Sequence, residues 1–232
     1  MRKIKGKKQQ QFHLIKAIIF DCDGVILDSN QAYEKMYEEL FRKYGVKKTA
    51  MDIYPHFGES PKHIMKAFFH GRKNIRIIYK DYIKRISRRE FNQKIRIHKG
   101  AKNSITKLSK HYKIAVVSGA LRFRLLNSLG KYGLTKYFLS IFGSDDVRNA
   151  KPNPEALNRT IKRLKVRKSE VIFIGDAPND LRAARRAGIK FAAVLTGVLD
   201  KKMAKHIGAD YVISDINKIG KLLKDMKQST TK

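Results

Sequence analysis

Acidic residues are scarce in this chain: 20 Asp and Glu stand against 52 Lys and Arg, giving a formal net charge of +32. The single cysteine, Cys22, excludes an intrachain disulfide framework and a cysteine-built zinc site. No apolar run approaches the ~18 to 20 residues that a membrane-spanning helix needs. The first eleven residues lack the apolar stretch of a secretory signal. These absences lead to the expectation of a cytoplasmic chain with no membrane partner. Hydrophobic residues make up 42% of the 232, enough to bury a real core, which excludes disorder as the dominant state.

The basic excess is spread along the chain. Residues 1–16, which include Arg2, Lys3, Lys5, Lys7 and Lys8, read as a solvated basic tail. Only residues 17–28 are net acidic, through Asp21, Asp23 and Asp28, and this stretch stands out as a candidate cation site inside a positive field. Such a field draws anionic substrates and favours a loose, salt-sensitive association with nucleic acid, although no compact basic motif with interleaved aromatics is present.

Ala17-Ile18-Ile19-Phe20 is a short apolar run that ends in Asp21, the pattern of a buried parallel strand delivering polar residues at its C-terminal end. The form recurs at Ile114 to Val117 before Ser118-Gly119, at Val171 to Ile174 before Gly175-Asp176, at Phe191 to Leu195 before Thr196-Gly197, and more weakly at Tyr211 to Ile213. Helical patterns lie between them, at Ala101 to His111, Pro154 to Leu164, and Asp180 to Ala187 stopped by Gly188. Alternation of this kind predicts an α/β fold with a parallel sheet covered on both faces, whose ligands bind at the carboxyl ends of the strands. The stretch from 29 to 97 is far longer than one crossover requires. Helical spacing at Gln31 to Tyr44, Ser60 to His70 and Asn74 to Arg89 makes it a small inserted helical domain. The expected organisation is thus a basic tail over 1–16, an α/β core over 17–28 and 98–232, and the insertion over 29–97. Lys218 to Lys232 reads as a last helix running into a polar tail.

Each strand end carries chemistry. Asp21 and Asp23 are two apart, so on an extended backbone both carboxylates point to one side, where one can attack phosphorus and the other move a proton. Ser118 and Gly119 offer a hydroxyl and an amide to phosphate oxygens. Lys151, in Lys151-Pro152-Asn153-Pro154, can neutralise both phosphate and carboxylates. Asp176 and Asp180 supply hard oxygen ligands of the kind that suits Mg²⁺.

In this order, Asp-x-Asp-Gly, Ser, Lys-Pro-x-Pro and Gly-Asp-x-x-x-Asp, each after a β-type run, resemble the haloacid-dehalogenase-like (HAD) phosphohydrolases. The resemblance covers residues 17–28 and about 99–215, and the insertion is similar only in position and helical character to the family's smaller cap. It implies a Rossmann-like core, Asp21 as the nucleophile of an aspartyl-phosphate mechanism, and Asp23 as general acid/base whose carbonyl also meets the metal. It implies Ser118, the Gly119 amide and Lys151 as holders of the phosphoryl group, and Mg²⁺ bound by Asp21 and Asp176 with Asp180 supporting it. Gly175 and the run Leu181 to Gly188 look most like phosphoglycolate phosphatases, and sugar-phosphate mutases of the superfamily usually carry Glu where Gly175 stands.

The reading is therefore a Mg²⁺-dependent phosphatase of a small phosphomonoester. The alternatives are a phosphosugar mutase, a nucleic-acid-binding protein on a phosphatase scaffold, and a phosphatase of nucleotides or polynucleotide ends. Phe57-Gly58-Glu59-Ser60 resembles a cap loop, and Lys62, Lys66, Arg72 and Lys73 are cap cations that read first as a solvated face, the alternative being a grip on a substrate carboxylate. His56, His63 and His70 recur every seven residues, too far apart on a helix to share an ion. Cys22 reads as a small buried hydrophobe.

Overall fold

The computed structural model describes residues 14–228, so the basic tail residues Arg2 to Lys8 lie outside it. Six strands form one parallel sheet: β1 (Ala17–Phe20), β4 (Lys113–Val117), β5 (Ser140–Phe142), β6 (Val171–Gly175), β7 (Lys190–Val194) and β8 (Tyr211–Ile213), in the order β5-β4-β1-β6-β7-β8. Ile19 of β1 aligns with Ala115 on one side and Phe173 on the other, so β1 lies at the centre of the ladder.

Alternate residues of these short runs face opposite cores. Ile18, Phe20, Ile114, Val116, Ile172 and Ile174 point to one face. Ala17, Ile19, Ala115, Val117, Val171 and Phe173 point to the other. The period of two in the pleat sorts a continuously apolar strand into two faces, each of which needs a helical layer. The first face packs with residues of α6 (Ala101–Leu108), α7 (Arg122–Lys131) and α11 (Ile219–Gln228). The second packs with α8 (Glu155–Leu164), α9 (Pro178–Ala187) and α10 (Lys201–His206).

Between β1 and α6 the chain makes a separate helical layer of α1 (Asn30–Lys43), α2 (Ala50–Ile53), α3 (Pro61–Phe69), α4 (Ile75–Ile86) and α5 (Arg89–Lys94). Its interior is aromatic: Phe41 lies 5.8 Å from Phe69 and Tyr37 5.8 Å from Tyr82, ring centre to ring centre. The chain leaves and regains the core through β2 (Leu27–Asp28) and β3 (Arg96–Ile97), which pair antiparallel, Leu27 with Ile97 and Asp28 with Arg96.

Several local expectations are revised. Arg96 and Ile97, at the end of the helical insertion, form a strand paired with β2 in a separate two-stranded sheet. The helix expected over Asn74 to Arg89 breaks after Ile86, where Ser87 and Arg88 separate α4 from α5. Arg88 takes an extended backbone there and starts the second helix. The sheet has one strand beyond the five expected: β5 is only three residues long, and Ser140-Ile141-Phe142 is too short for its periodicity to register. The last helix spans Ile219–Gln228, the last of the described residues.

Candidate active site

The carboxyl ends of β1, β4, β6 and β7 converge on one small volume. Asp21 leaves β1 with its side chain 1% exposed. Its Oδ1 accepts the Cys22 amide at 2.7 Å, and its Oδ2 lies 3.1 Å from the Lys151 ammonium. Lys151 reaches in from the loop ahead of α8, fully buried, and its Nζ is also 2.5 Å from Asp180 Oδ1. Burial pushes the Asp21 carboxyl up to about 7 even against the opposing pull of Lys151, with the nearby charges of Asp180 and Asp23 adding to the rise. Desolvation works to lower the Lys151 ammonium, but Asp180 and Asp21 outweigh it and hold it above its ordinary value.

Asp176 ends β6 and is buried. Its Oδ2 accepts the Val198 amide at 3.1 Å, while its Oδ1 is buried with no hydrogen-bond partner. Desolvation, with Asp21 and Asp180 alongside, raises its carboxyl well above the usual range. Asp180 is already engaged, since its Oδ2 accepts the amides of Asp176 and Ala177, each at 3.2 Å, at the start of α9. Carboxylate oxygens of Asp21, Asp176 and Asp180 all lie within 4.8 Å of one another. Three such groups in low dielectric, one oxygen orphaned, require a positive counter-charge to remain ionised together. A hard divalent cation such as Mg²⁺ fits this donor set, and the unpartnered Asp176 Oδ1 is the oxygen most free to meet it.

Glycine makes the close packing around Asp176 feasible. A Cβ on Gly24 or on Gly197 would overlap Asp176 Oδ2, and one on Gly175 would come within 2.5 Å of Asp180 Oδ2. Gly24 also has φ +72°, a backbone angle that L side chains rarely adopt.

Ser118 follows β4 and lines the same cavity as Asp21, together with Gly119. Asp23 also lines this cavity, but its carboxylate lies outside the three-acid cluster. Ser29 Oγ donates to Asp23 Oδ1 at 2.6 Å, and Arg124 Nη2 pairs with Asp23 Oδ2. The sequence reading did not single out Arg124 or Ser29. An arginine two residues from another on one helix gives no hint in sequence of which one turns inward. Arg122 remains partly exposed near Asp146, whereas Arg124 is fully buried.

The helical layer closes over the site. The Gly58 carbonyl presses on Gly119 so closely that no Cβ fits between them, and Tyr54 donates to the Gly197 carbonyl at 3.3 Å. Glu59 Oε1 accepts from Asn179 Nδ2 at 3.4 Å. About 40 Å³ of cavity remains, walled on the helical side by Tyr33, Tyr37, Phe57, Ile64 and Tyr82. The loop Phe57 to Ser60 thus forms part of the roof. Lys62, Lys66, Arg72 and Lys73 are exposed and line none of this cavity, and Arg72 instead binds the carbonyls of Tyr44 and Gly45. His56 meets Glu59 at 3.2 Å, and His63 and His70 are exposed. Cys22 is fully buried.

A parallel sheet covered on both faces thus gathers acids from the ends of β1 and β6, a serine from the end of β4 and a lysine from the loop ahead of α8. The haloacid dehalogenase-like hydrolase family model matches residues 18–194, and the chain belongs to that family. It is 30% identical over 213 residues to the "Putative pyrophosphatase PpaX" of Caldanaerobacter subterraneus subsp. tengcongensis, an alignment covering 90% of this chain and 95% of that one. Its fold is shared with a "Putative haloacid dehalogenase-like hydrolase" from Bacteroides fragilis, at TM-score 0.82, 24% identity, and coverage of 88% of this chain and 99% of that one. It is shared also with a "putative phosphoglycolate phosphatase" from Lactobacillus plantarum, at TM-score 0.81, 19% identity, and coverage of 90% and 100%. Among the described residues, no helix is long and apolar enough to cross a membrane.

Proposed function

We propose that the chain hydrolyses a small phosphomonoester through a phosphorylated Asp21, with Mg²⁺ held by Asp21 and Asp176 and supported by Asp180. The observation that carries the reading is Asp21 itself, which is buried, lines the cavity, and has Lys151 on one oxygen. An Asp21 oxygen attacks phosphorus and the bond to the leaving oxygen breaks, with Asp23 supplying the leaving group's proton. Water then attacks the same phosphorus, Asp23 takes a proton from it, and the Asp21–phosphorus linkage breaks to release phosphate. Ser118, the Gly119 amide and Lys151 hold the phosphoryl oxygens, and the aromatic roof excludes bulk water. When bound, the divalent cation neutralises charge on the phosphoryl group. The Asp23 carbonyl would be a further ligand for that ion.

Phosphoglycolate and inorganic pyrophosphate are the first substrates to try, given the names of the relatives and neighbours. The bare Cα of Gly175, packed against Asp180, supports hydrolysis over the mutase reaction, which the resemblance ties to Glu at that position. The test is phosphate release from phosphoglycolate, pyrophosphate, sugar phosphates, nucleotides and a 3′-phosphorylated oligonucleotide, with Mg²⁺ or EDTA. Mg²⁺-dependent release that disappears in Asp21→Asn is the expected result. Full turnover by Asp21→Asn overturns the mechanism, and interconversion of sugar phosphates without release favours the mutase.

A further inference from the structure

We propose that Arg124 is a positioning residue that holds Asp23 in place for the water step, an inference that rests on the phosphatase reading above. Arg124 is the largest fully buried side chain among the described residues. Its Nη2 meets Asp23 Oδ2, while its Nε and Nη1 are buried with no hydrogen-bond partner. Its guanidinium carbon sits 5.6 Å from the ring centre of Tyr33, one of the residues walling the cavity.

A buried guanidinium kept for stability alone would have its donors matched, because each unmatched donor costs free energy. Here two nitrogens are unmatched, and the sole anionic partner is a carboxylate that lines the cavity. Asp23 is also the less buried member of the pair, with its side chain 19% exposed against 0% for Arg124. The desolvation penalty therefore falls on the arginine, and the pair is a poor stabilising device.

Its effect is geometric. Ser29 holds one oxygen of Asp23 and Arg124 the other, so both oxygens accept hydrogen bonds and the carboxylate plane is fixed from two sides. Each oxygen keeps an acceptor site for a water proton. A base fixed in this way is placed to accept the proton as water attacks phosphorus.

The test uses the full chain and p-nitrophenyl phosphate, whose leaving group departs without a proton. The first turnover then reports attack by Asp21, and the steady state reports the water step. Arg124→Met is expected to keep the rate of the initial burst and slow the steady state by ~10²-fold, the low end of general-base contributions. Its Tm is expected to equal or exceed that of the wild type. Arg124→Lys is expected to recover part of the steady-state rate. Equal slowing of both phases in Arg124→Met, a lowered Tm in both variants, or unchanged phases would each overturn the assignment. A wild type that never forms phosphorylated Asp21 overturns the phosphatase mechanism itself. Phosphorylated Asp21 that forms and decays at wild-type rates in Arg124→Met removes only the role of Arg124.

Discussion

Lys151 and Asp21 form a buried ion pair 3.1 Å long across the floor of the cavity. The lysine is the only side-chain cation in direct contact with the three-acid cluster among the described residues, and it touches Asp180 as well.

Lys151→Met is accordingly expected to cut phosphate release by ~10²- to 10³-fold, as loss of a preorganised positive donor at a reacting group does. It also leaves Asp21 and Asp180 without their buried counter-charge. The variant's Tm without divalent cation should fall below that of the wild type, and added Mg²⁺ should narrow the gap. Thermal melts with Mg²⁺ and with EDTA check both statements. A variant whose melting ignores Mg²⁺ would argue against an ion among these acids.

The cradle of Asp176 gives a second prediction. A methyl group at position 197 collides with Asp176 Oδ2, so Gly197→Ala must turn that carboxylate away from Asp21. Divalent-cation affinity, read by calorimetric titration, should weaken by ~10- to 100-fold, the usual effect of disturbing the groups that orient a ligand. Gly220 has open space around its Cα. Gly220→Ala is the control and should leave affinity unchanged.

The contact of Gly119 with the Gly58 carbonyl gives a third. Gly119→Ala props the helical layer off the core, because no space exists for the added Cβ. The variant should bind substrate more weakly and be cut faster by protease between residues 54 and 60. Limited proteolysis against KM measures both, and equal cleavage of variant and wild type would count against a closing roof.

Glu170 sets a pH dependence away from the site. Its carboxylate binds the Arg167 guanidinium at 2.8 Å, the Arg167 amide at 2.9 Å and Lys16 at 2.9 Å. Arg167, then Lys16, hold its carboxyl down at about 2, against an ordinary value of 4.5. A depressed carboxyl stabilises the fold above its unfolded value, and the contribution is lost as the pH falls from about 4.5 to about 2. The Tm gap between wild type and Glu170→Gln should be full at pH 7 and close across that window. A gap independent of pH would mean that the charge of Glu170 is not what stabilises the junction with β1.

What the sequence discloses and what it hides follow from the range of the interactions. Asp21, Ser118 and Asp176 are legible because each follows a short apolar run, so local pattern alone places them at strand ends, and Lys151 is legible from the Pro-flanked loop ahead of a helix. The pairing of Asp23 with Arg124 spans 101 positions, and nothing local marks it. The strand Ser140–Phe142 is hidden for a different reason, because three residues carry no period. The cap cations Lys62 and Lys66 point to solvent, as their solvated-face reading has it. The direction each takes is decided by the apolar face of α3, where Ile64, Met65 and Phe69 are buried.

The two-rung ladder between β2 and β3 makes residues 29–95 a module whose two ends are neighbours. Every acid in the three-carboxylate cluster, with Lys151 and Ser118, lies outside that module. A chimera that replaces the module with the corresponding segment of a relative, joined at Ser29 and Arg96 so that the donor to Asp23 is retained, keeps the three-acid cluster, Lys151 and Ser118 and exchanges Tyr33, Tyr37, Phe57, Ile64 and Tyr82 together. Under the proposed function, chemistry would stay with the core and substrate choice would travel with the module, the two divided at a single antiparallel joint.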